Sequence, residues 1–266
     1  MAYNERELLR LIPRVLRARD FHLYLEGGKR LVDLWRQGGR AVLGHKRPHV
    51  LEELKNAAER GLFCAYPHPM ERRFIKALEV FFPGRKFRLY LDSGALYRAY
   101  GNHRTEGSHP CKWRPLLDMP QVETPVIIPV LPWPLGPEVL VLDKSVEASF
   151  PAGDLIPPVL LAPAARALYD LAAVIKNKPL IRYPKIEKVL GSSKEEKSAE
   201  EKPAACRWRR RGIYLTTEAE GEEYAALFRN FLEGGFLIPP SPEEPAILPL
   251  SMSPGEESKL AELLRL

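Results

Sequence analysis

Short apolar strand patterns alternate with helical patterns along most of this 266-residue chain. PVIIPVLPW and EVLVLD are short apolar runs, which are typical of buried strands in a parallel sheet. Segments with helical spacing also occur along the chain. One of them, residues 162–175, follows EVLVLD. This alternation predicts an α/β fold with a mainly parallel central sheet and helices on both faces.

The two ends of the chain share a different pattern. Residues 4–18 place leucine, isoleucine and valine at helical spacing and predict an amphipathic helix, and residues 21–35 alternate around Glu-Gly-Gly like a hairpin. Near the other end, Ser253, Pro254 and Glu256 have the spacing of a helix capping box. We therefore expect a small α+β domain built from both termini.

These patterns predict four segments. Residues 1–62 and 206–266 form the two parts of the small domain, and residues 63–190 form the large domain. Residues 191–205 have mixed charge and lack large apolar side chains, so they are expected to be a flexible linker or loop.

The composition favours a cytoplasmic protein with a sizeable core. Hydrophobic residues make up 45% of the chain, and its three cysteines have no CxxC spacing. The start lacks the apolar core of a secretory signal, and no run approaches 18 consecutive apolar residues, so we expect no membrane association. The histidines show no ligand spacing that would indicate a metal site.

Two strand ends carry groups that could do chemistry. Ser93, Gly94 and Ala95 follow the strand FRLYLD and open a helix, whose free N–H groups and positive dipole end can bind a phosphate or simply be capped. Lys144 directly follows the strand EVLVLD. It is either an exposed lysine neutralised by Asp143 or a partly desolvated, reactive amine.

Four stretches resemble, in order, the class III (ornithine and glutamate-semialdehyde type) aminotransferases of PLP (pyridoxal 5'-phosphate) fold type I. They are GKRLVDLWRQGGRAVLGHKRPHVLEELKNAAERG, around Asp33, Gly44, His45 and Pro48, then FRLYLDSGALYRA, PEVLVLDKSVEASFPAG and the C-terminal FLEGGFLIPPSPEEPAILPLSMSPGEESKLAELL. In the third stretch Lys144 stands where that family has its cofactor lysine. His45 is expected to satisfy backbone groups near the following helix start.

The resemblance implies a set of roles and a partner. Lys144 would form the Schiff base with PLP, and Ser93, Gly94 and Ala95 would hold its phosphate. Asp118 would pair with the ring nitrogen, unless it is only a turn residue before Met-Pro. His103 or His109 would stack on the ring, and the chain would form a homodimer.

The sequence also departs from the family. Only 23 residues separate Gly94 from Asp118, and Val146-Glu147-Ala148-Ser149 replaces the family's glycine-rich run after the lysine. The family's substrate-binding arginine has no counterpart in PPSPEEPAILP. We therefore expect a catalytically eroded homologue with a shortened large domain and a structural or regulatory role. The alternative is a PLP-dependent aminotransferase that uses Lys144.

A third hypothesis concerns the basic run around Trp208, which comprises Arg207, Arg209, Arg210 and Arg211. Cationic side chains beside an aromatic ring can bind the phosphates and stack on the bases of a nucleic acid. The same run is also compatible with a strand whose arginines face solvent or acidic neighbours.

Overall fold

The computed structural model describes residues 5–103, 110–117, 124–177, 182–190 and 207–266. The predicted linker at 191–205 lies outside these ranges, as do Asp118 and His109. The chain divides into two compact units, one of Met1–Lys46 with Pro179–Leu266 and one of Arg47–Lys178. The domain boundaries expected from the sequence stay a prediction.

The first unit contains residues from both ends of the chain. Its helices are α1 (Glu5–Arg10), α2 (Arg36–Gly39), α7 (Pro184–Leu190), α8 (Gly221–Glu233) and α9 (Pro254–Leu263). Its strands are β1 (Val15–Arg19), β2 (His22–Leu25), β3 (Arg30–Asp33), β8 (Trp208–Arg211), β9 (Tyr214–Thr217), β10 (Phe236–Leu237) and β11 (Ala246–Ile247). They form two sheets with the orders β1-β2-β3-β10 and β11-β9-β8.

The local patterns at the two ends had different outcomes. The predicted hairpin is confirmed, since β2 and β3 pair antiparallel, and so is the capping box of α9. The helix predicted over residues 4–18 is confirmed only in its first part, because α1 ends at Arg10 and β1 begins at Val15. Pro13 lies between them, and a proline disfavours helical geometry at the residue before it.

The second unit contains one sheet with helices on both sides. Its helices are α3 (Pro48–Glu59), α4 (Pro69–Glu79), α5 (Ser93–His103) and α6 (Pro158–Asn177), with a 3₁₀ turn at Glu147–Ser149. Its strands are β4 (Lys86–Tyr90), β5 (Cys111–Trp113), β6 (Val126–Pro129) and β7 (Glu138–Leu142), in the order β4-β7-β6-β5.

The direction of these strands confirms in part the expectation of a mainly parallel sheet, since β4, β5 and β6 run in the same direction and β7, among the described strands of this sheet, opposes them. Strand β7 runs antiparallel to both of its neighbours, β4 and β6, and β5 pairs parallel with β6. Residues 130–137 are the only link between β6 and β7. A connection of this length is too short for a crossover helix, so the chain turns back and the two strands pair antiparallel.

The alternating side chains of β7 confirm helices on both faces of this sheet. Val139 and Val141 point to one face and pack in a core with residues of α4 and α6. Leu140 and Leu142 point to the other face and pack with α5. A strand that is apolar on both faces is therefore explained by two separate cores.

Helix α6 is the long apolar helix of the second unit. It extends the predicted helix at both ends, and its length and composition alone would allow it to cross a membrane. However, 56% of its most apolar window is buried within the protein. This helix packs against α3 and α4, so its apolar stripe serves the core.

Glu256 connects α9 to the β2–β3 hairpin. Its Oε1 accepts from Arg30 Nη2 at 3.0 Å and lies 2.9 Å from His22 Nε2, and Ser253 donates to its Oε2. Burial raises the pKa of Glu256, but the hydrogen bonds from His22 and Ser253 outweigh burial and hold it below its usual value.

The pH dependence of stability should report this carboxylate. Because its pKa is lowered in the folded state, its contribution is present above the unfolded pKa of 4.5 and is lost as the pH falls through the folded value. We expect Glu256→Gln to lower the free energy of unfolding by roughly 1–2 kcal/mol at pH 7. Urea unfolding at pH 7 and below pH 4.5 should show the difference from wild type narrowing in acid. Glu262→Gln, on the same helix but exposed, is the control, and an unchanged difference at both pH values would contradict the assignment.

Candidate functional site

The predicted phosphate site lies where β4 ends and α5 begins, and residues 91–94 there are exposed. Asp92 precedes the helix, and its Oδ1 accepts from the backbone N of Ala95 at 2.7 Å. Its main-chain oxygen accepts from the N of Leu96 at 3.1 Å. Asp92 is therefore the N-cap of α5, the residue that satisfies the first free donors of the helix.

This cap changes the electrostatics of the helix start. The carboxylate of Asp92 already uses a backbone donor that a phosphate would need, and it places a negative charge at the positive end of the dipole. A Cβ added at Gly94 would lie 3.0 Å from the same Oδ1, so the carboxylate crowds this position. Arg98 Nη1 lies 3.3 Å from the same Cβ position, so a guanidinium also borders the helix start and Asp92 is not the sole charge there.

A second carboxylate lies on the same edge of the sheet. Asp154 Oδ2 accepts from the backbone N of Leu91 at 3.0 Å, and the N of Asp154 donates to the main-chain oxygen of Leu89 at 2.7 Å. Both carboxylates thus bind the chain segment that leads from β4 into α5. They increase the negative charge where an anionic cofactor group was expected.

The pairing register shows where Lys144 lies relative to Ser93. Lys86 at the start of β4 pairs with Leu142, and Tyr90 at its end pairs with Glu138. Lys144 follows Leu142 and Ser93 follows Tyr90, so they leave this strand pair at opposite ends. The paired residues between them alone span about 13 Å. The expected convergence of the phosphate site and the lysine is therefore not observed.

The surroundings of Lys144 match those of an exposed lysine that closes a strand. Its side chain is exposed, and Asp143 precedes it. Asp143 Oδ1 accepts from the N and Oγ of Ser145 at 2.9 and 2.8 Å. These hydrogen bonds, with Arg85 and Lys144 nearby, lower the pKa of Asp143, which stays ionised. A reactive amine needs a desolvated position. Lys144 instead is exposed to solvent and follows an ionised carboxylate.

Strand β6 ends at the edge where Ser93 lies, since both β6 and β4 run antiparallel to β7. The residues directly after β6 are Val130, Leu131 and Pro132, and all three are buried. They supply no amine. Among the described residues, the ends of β4 and β6 therefore lack the lysine that PLP chemistry requires, and the residues present do not fit this cofactor. The role of Asp118 stays a prediction.

The basic run around Trp208 forms β8, and its side chains are engaged within the first unit. Trp208 is only 5% exposed, and its ring centroid lies 5.5 Å from that of Phe231. Three of its arginines form ion pairs: Arg207 with Glu223, Arg209 with Glu218, and Arg210 with Glu187. The ring cannot stack on a base without unfolding, which favours the interpretation that these arginines face acidic neighbours.

The sequence did not predict the polar cluster around Asp33. This carboxylate is 3% exposed, and its Oδ1 accepts from the backbone N of Trp35 and of Arg36 at 2.9 and 2.8 Å. Its Oδ2 lies 2.9 Å from His45 Nε2. The side chain of His45 thus binds a carboxylate rather than the backbone groups expected. The sequence signal for this contact is that Asp33 and His45 both lie in the first family-like stretch.

Comparisons with known proteins extend this description. No protein-family model matches the chain. It is 27% identical to a protein of Treponema pallidum (strain Nichols) described as uncharacterized, over 94% of this chain and 93% of that one. It is 26% identical to another protein so described, from Borreliella burgdorferi, over 95% of this chain and 90% of that one.

Solved structures with a similar fold include several aminotransferases. An omega-transaminase from Sphaerobacter thermophilus superposes with a TM-score of 0.69 at 11% identity, covering 95% of this chain and 90% of that one. The ornithine delta-aminotransferase of Plasmodium falciparum gives 0.65 at 13% identity, covering 94% and 91%. A transaminase with PLP bound gives 0.66 at 12% identity, covering 95% and 89%. The chain therefore has the fold of class III aminotransferases.

Proposed function

We propose that this chain is a catalytically eroded homologue of the class III aminotransferases that acts without PLP, in a structural or regulatory role. The antiparallel pairing of β4 with β7 carries the proposal, because it separates Lys144 from Ser93. A Schiff-base lysine and the group that holds the cofactor phosphate must bind the same small molecule, and these two residues leave the sheet at opposite ends.

The capping of α5 supports the same conclusion, because it occupies backbone donors that a phosphate would need. Asp92 caps this helix with its carboxylate. Asp154 accepts a hydrogen bond from the backbone N of Leu91, the residue before Asp92. The fold is one in which a solved transaminase binds PLP, so the scaffold is compatible with the cofactor. What this chain has changed is the set of groups at the strand ends. As part of the proposal we retain the homodimer that the family resemblance implies and the cytoplasmic location that the composition favours. A protein partner fits a structural or regulatory role.

A PLP titration of the purified full chain tests the proposal. We expect no saturable visible absorbance band at one PLP per chain, because free PLP would meet only scattered surface amines. Borohydride reduction followed by peptide mapping should then give low labelling spread over several lysines. Lys144→Ala should leave both results unchanged.

The alternative, a PLP-dependent aminotransferase using Lys144, predicts the opposite. It requires a stoichiometric band and labelling at Lys144, both lost in Lys144→Ala, and this result would overturn the proposal. Asp92→Asn keeps a capping side chain but removes the charge. We expect it to increase the affinity for inorganic phosphate relative to wild type, which checks the electrostatic part of the argument separately.

A further inference from the structure

A cavity of about 260 Å³ opens in the second unit between α3, α4 and α6. It is independent of the edge at Ser93 and of the proposal above. Cavities that hold drug-sized molecules begin at slightly larger volumes, so this one suits a smaller molecule. Its lining combines small apolar residues with two arginines.

The apolar part of the lining comes from all three helices and the loop after α3. Ala57 and Ala162 are 5% and 1% exposed, and their short side chains leave the space open. Met70 and Leu62 complete this part of the wall. A short hydrocarbon body would be removed from water here.

One charged pair in the lining is already satisfied. Arg73 donates to both carboxylate oxygens of Glu53, from Nη2 at 2.7 Å and from Nη1 at 3.3 Å. The pair is a two-point contact between a guanidinium and a carboxylate, so each charge neutralises the other. Glu53 is therefore held by Arg73 and is not an open acceptor.

Arg60 and Asn56 form the other polar part of the lining. They lie four residues apart and thus on one face of α3, and Arg60 follows the last residue of that helix. Within the described ranges of the chain, no hydrogen bond or ion pair engages either side chain. Both side chains are exposed to solvent, so one solvated guanidinium and one amide border a recess whose apolar part is formed by Ala57 and Ala162.

We propose that this cavity binds a small carboxylate that carries a short apolar body. Arg60 pairs with the carboxylate through its planar fork, and the Asn56 amide donates to the same group. The hydrocarbon lies over Ala57 and Ala162. The Arg60 guanidinium selects an anion over a cation, and the apolar part of the wall selects an alkyl carboxylate over a bare inorganic anion.

The test titrates hexanoate into the isotopically labelled full chain and follows amide chemical shifts. We expect saturable shifts centred on α3, α4 and α6. Arg60→Gln should weaken binding by about tenfold or more, since it removes a charge-assisted contact. Arg72→Gln is the matched control, because it removes an exposed arginine of α4 outside the cavity, and it should leave the affinity unchanged.

Two further probes separate charge from shape. Hexylamine, with the same body and the opposite charge, should not bind, and inorganic phosphate should bind more weakly than hexanoate. Asn56→Leu, at an exposed position, places apolar bulk at the entrance and should weaken hexanoate binding. Absence of saturation with hexanoate, shifts centred elsewhere, or equal affinity in Arg60→Gln would overturn the proposal.

Discussion

Replacement of Arg36 by alanine is expected to lower the free energy of unfolding by about 3–5 kcal/mol. The side chain is fully buried in the first unit, where Nη1 donates to the main-chain oxygen of Val42 at 3.1 Å and Nη2 donates to that of Ile247. Its guanidinium also lies 5.2 Å from the ring centroid of Phe21. Alanine would leave two buried carbonyl groups without a partner and would open a cavity.

The charge of Arg36 adds to this loss. Burial lowers its pKa to about 10 while the nearby Asp33 opposes the change, so the guanidinium stays charged at neutral pH. Asp33 in turn would lose its neighbouring cation in the alanine variant. Arg36 also has a left-handed φ of 46°, a conformation that alanine does not relieve. The backbone strain therefore remains after the contacts that compensate for it are removed.

Guanidinium chloride unfolding followed by far-ultraviolet circular dichroism measures this effect. Arg36→Lys keeps the charge but not the planar fork, so it should lose a smaller part of the stability. Arg19→Ala removes an exposed arginine paired with Asp20 at 3.4 Å and should change stability by less than about 0.5 kcal/mol. If Arg36→Ala unfolds within about 1 kcal/mol of wild type, the assigned role of Arg36 is wrong.

Features that depend on neighbouring residues could be predicted from the sequence. The capping box of Ser253 and Glu256 needs only a spacing of three residues, and the β2–β3 hairpin needs only a Gly-Gly turn between alternating strands. The two-faced burial of β7 was also predictable, because the strand is apolar at every position from Val139 to Leu142. Each of these signals lies within a few neighbouring residues, and the interactions of those residues determine the local structure.

Long-range features could not be predicted in the same way. The hydrogen bond from Arg36 joins residues 211 positions apart, and nothing in the segment around Arg36 indicates Ile247 as its partner. The direction of β7 is a different case. Its apolar run is typical of a parallel strand, but the short connection at residues 130–137 indicates an antiparallel return. Asp92, directly before Ser-Gly, was likewise an available capping signal.

Gly153 shows why a family-like segment can persist without the family's chemistry. It belongs to the sequence FPAG after Lys144, and a Cβ added there would lie 2.4 Å from the main-chain oxygen of Leu89 and 2.7 Å from its nitrogen. The segment is held against β4 by Asp154, whose N donates to Leu89, and by Pro151, whose oxygen accepts from Arg88 Nε at 3.1 Å. Close approach of two backbones explains the glycine without a cofactor.

Gly153→Ala is therefore expected to lower the free energy of unfolding by about 2–3 kcal/mol, because either the segment moves off β4 or the backbones overlap. Gly101→Ala is the matched control, since a Cβ there meets nothing within 4 Å. In helix α5 the control should be neutral or raise stability by up to about 1 kcal/mol. Urea unfolding of both variants compares the addition of a methyl group at an unobstructed position, Gly101, with its addition against the backbone of Leu89, at Gly153. Equal stability of the two variants would show that the segment does not pack on β4 in solution, and the charge at the start of α5 would then have to be explained without Asp154.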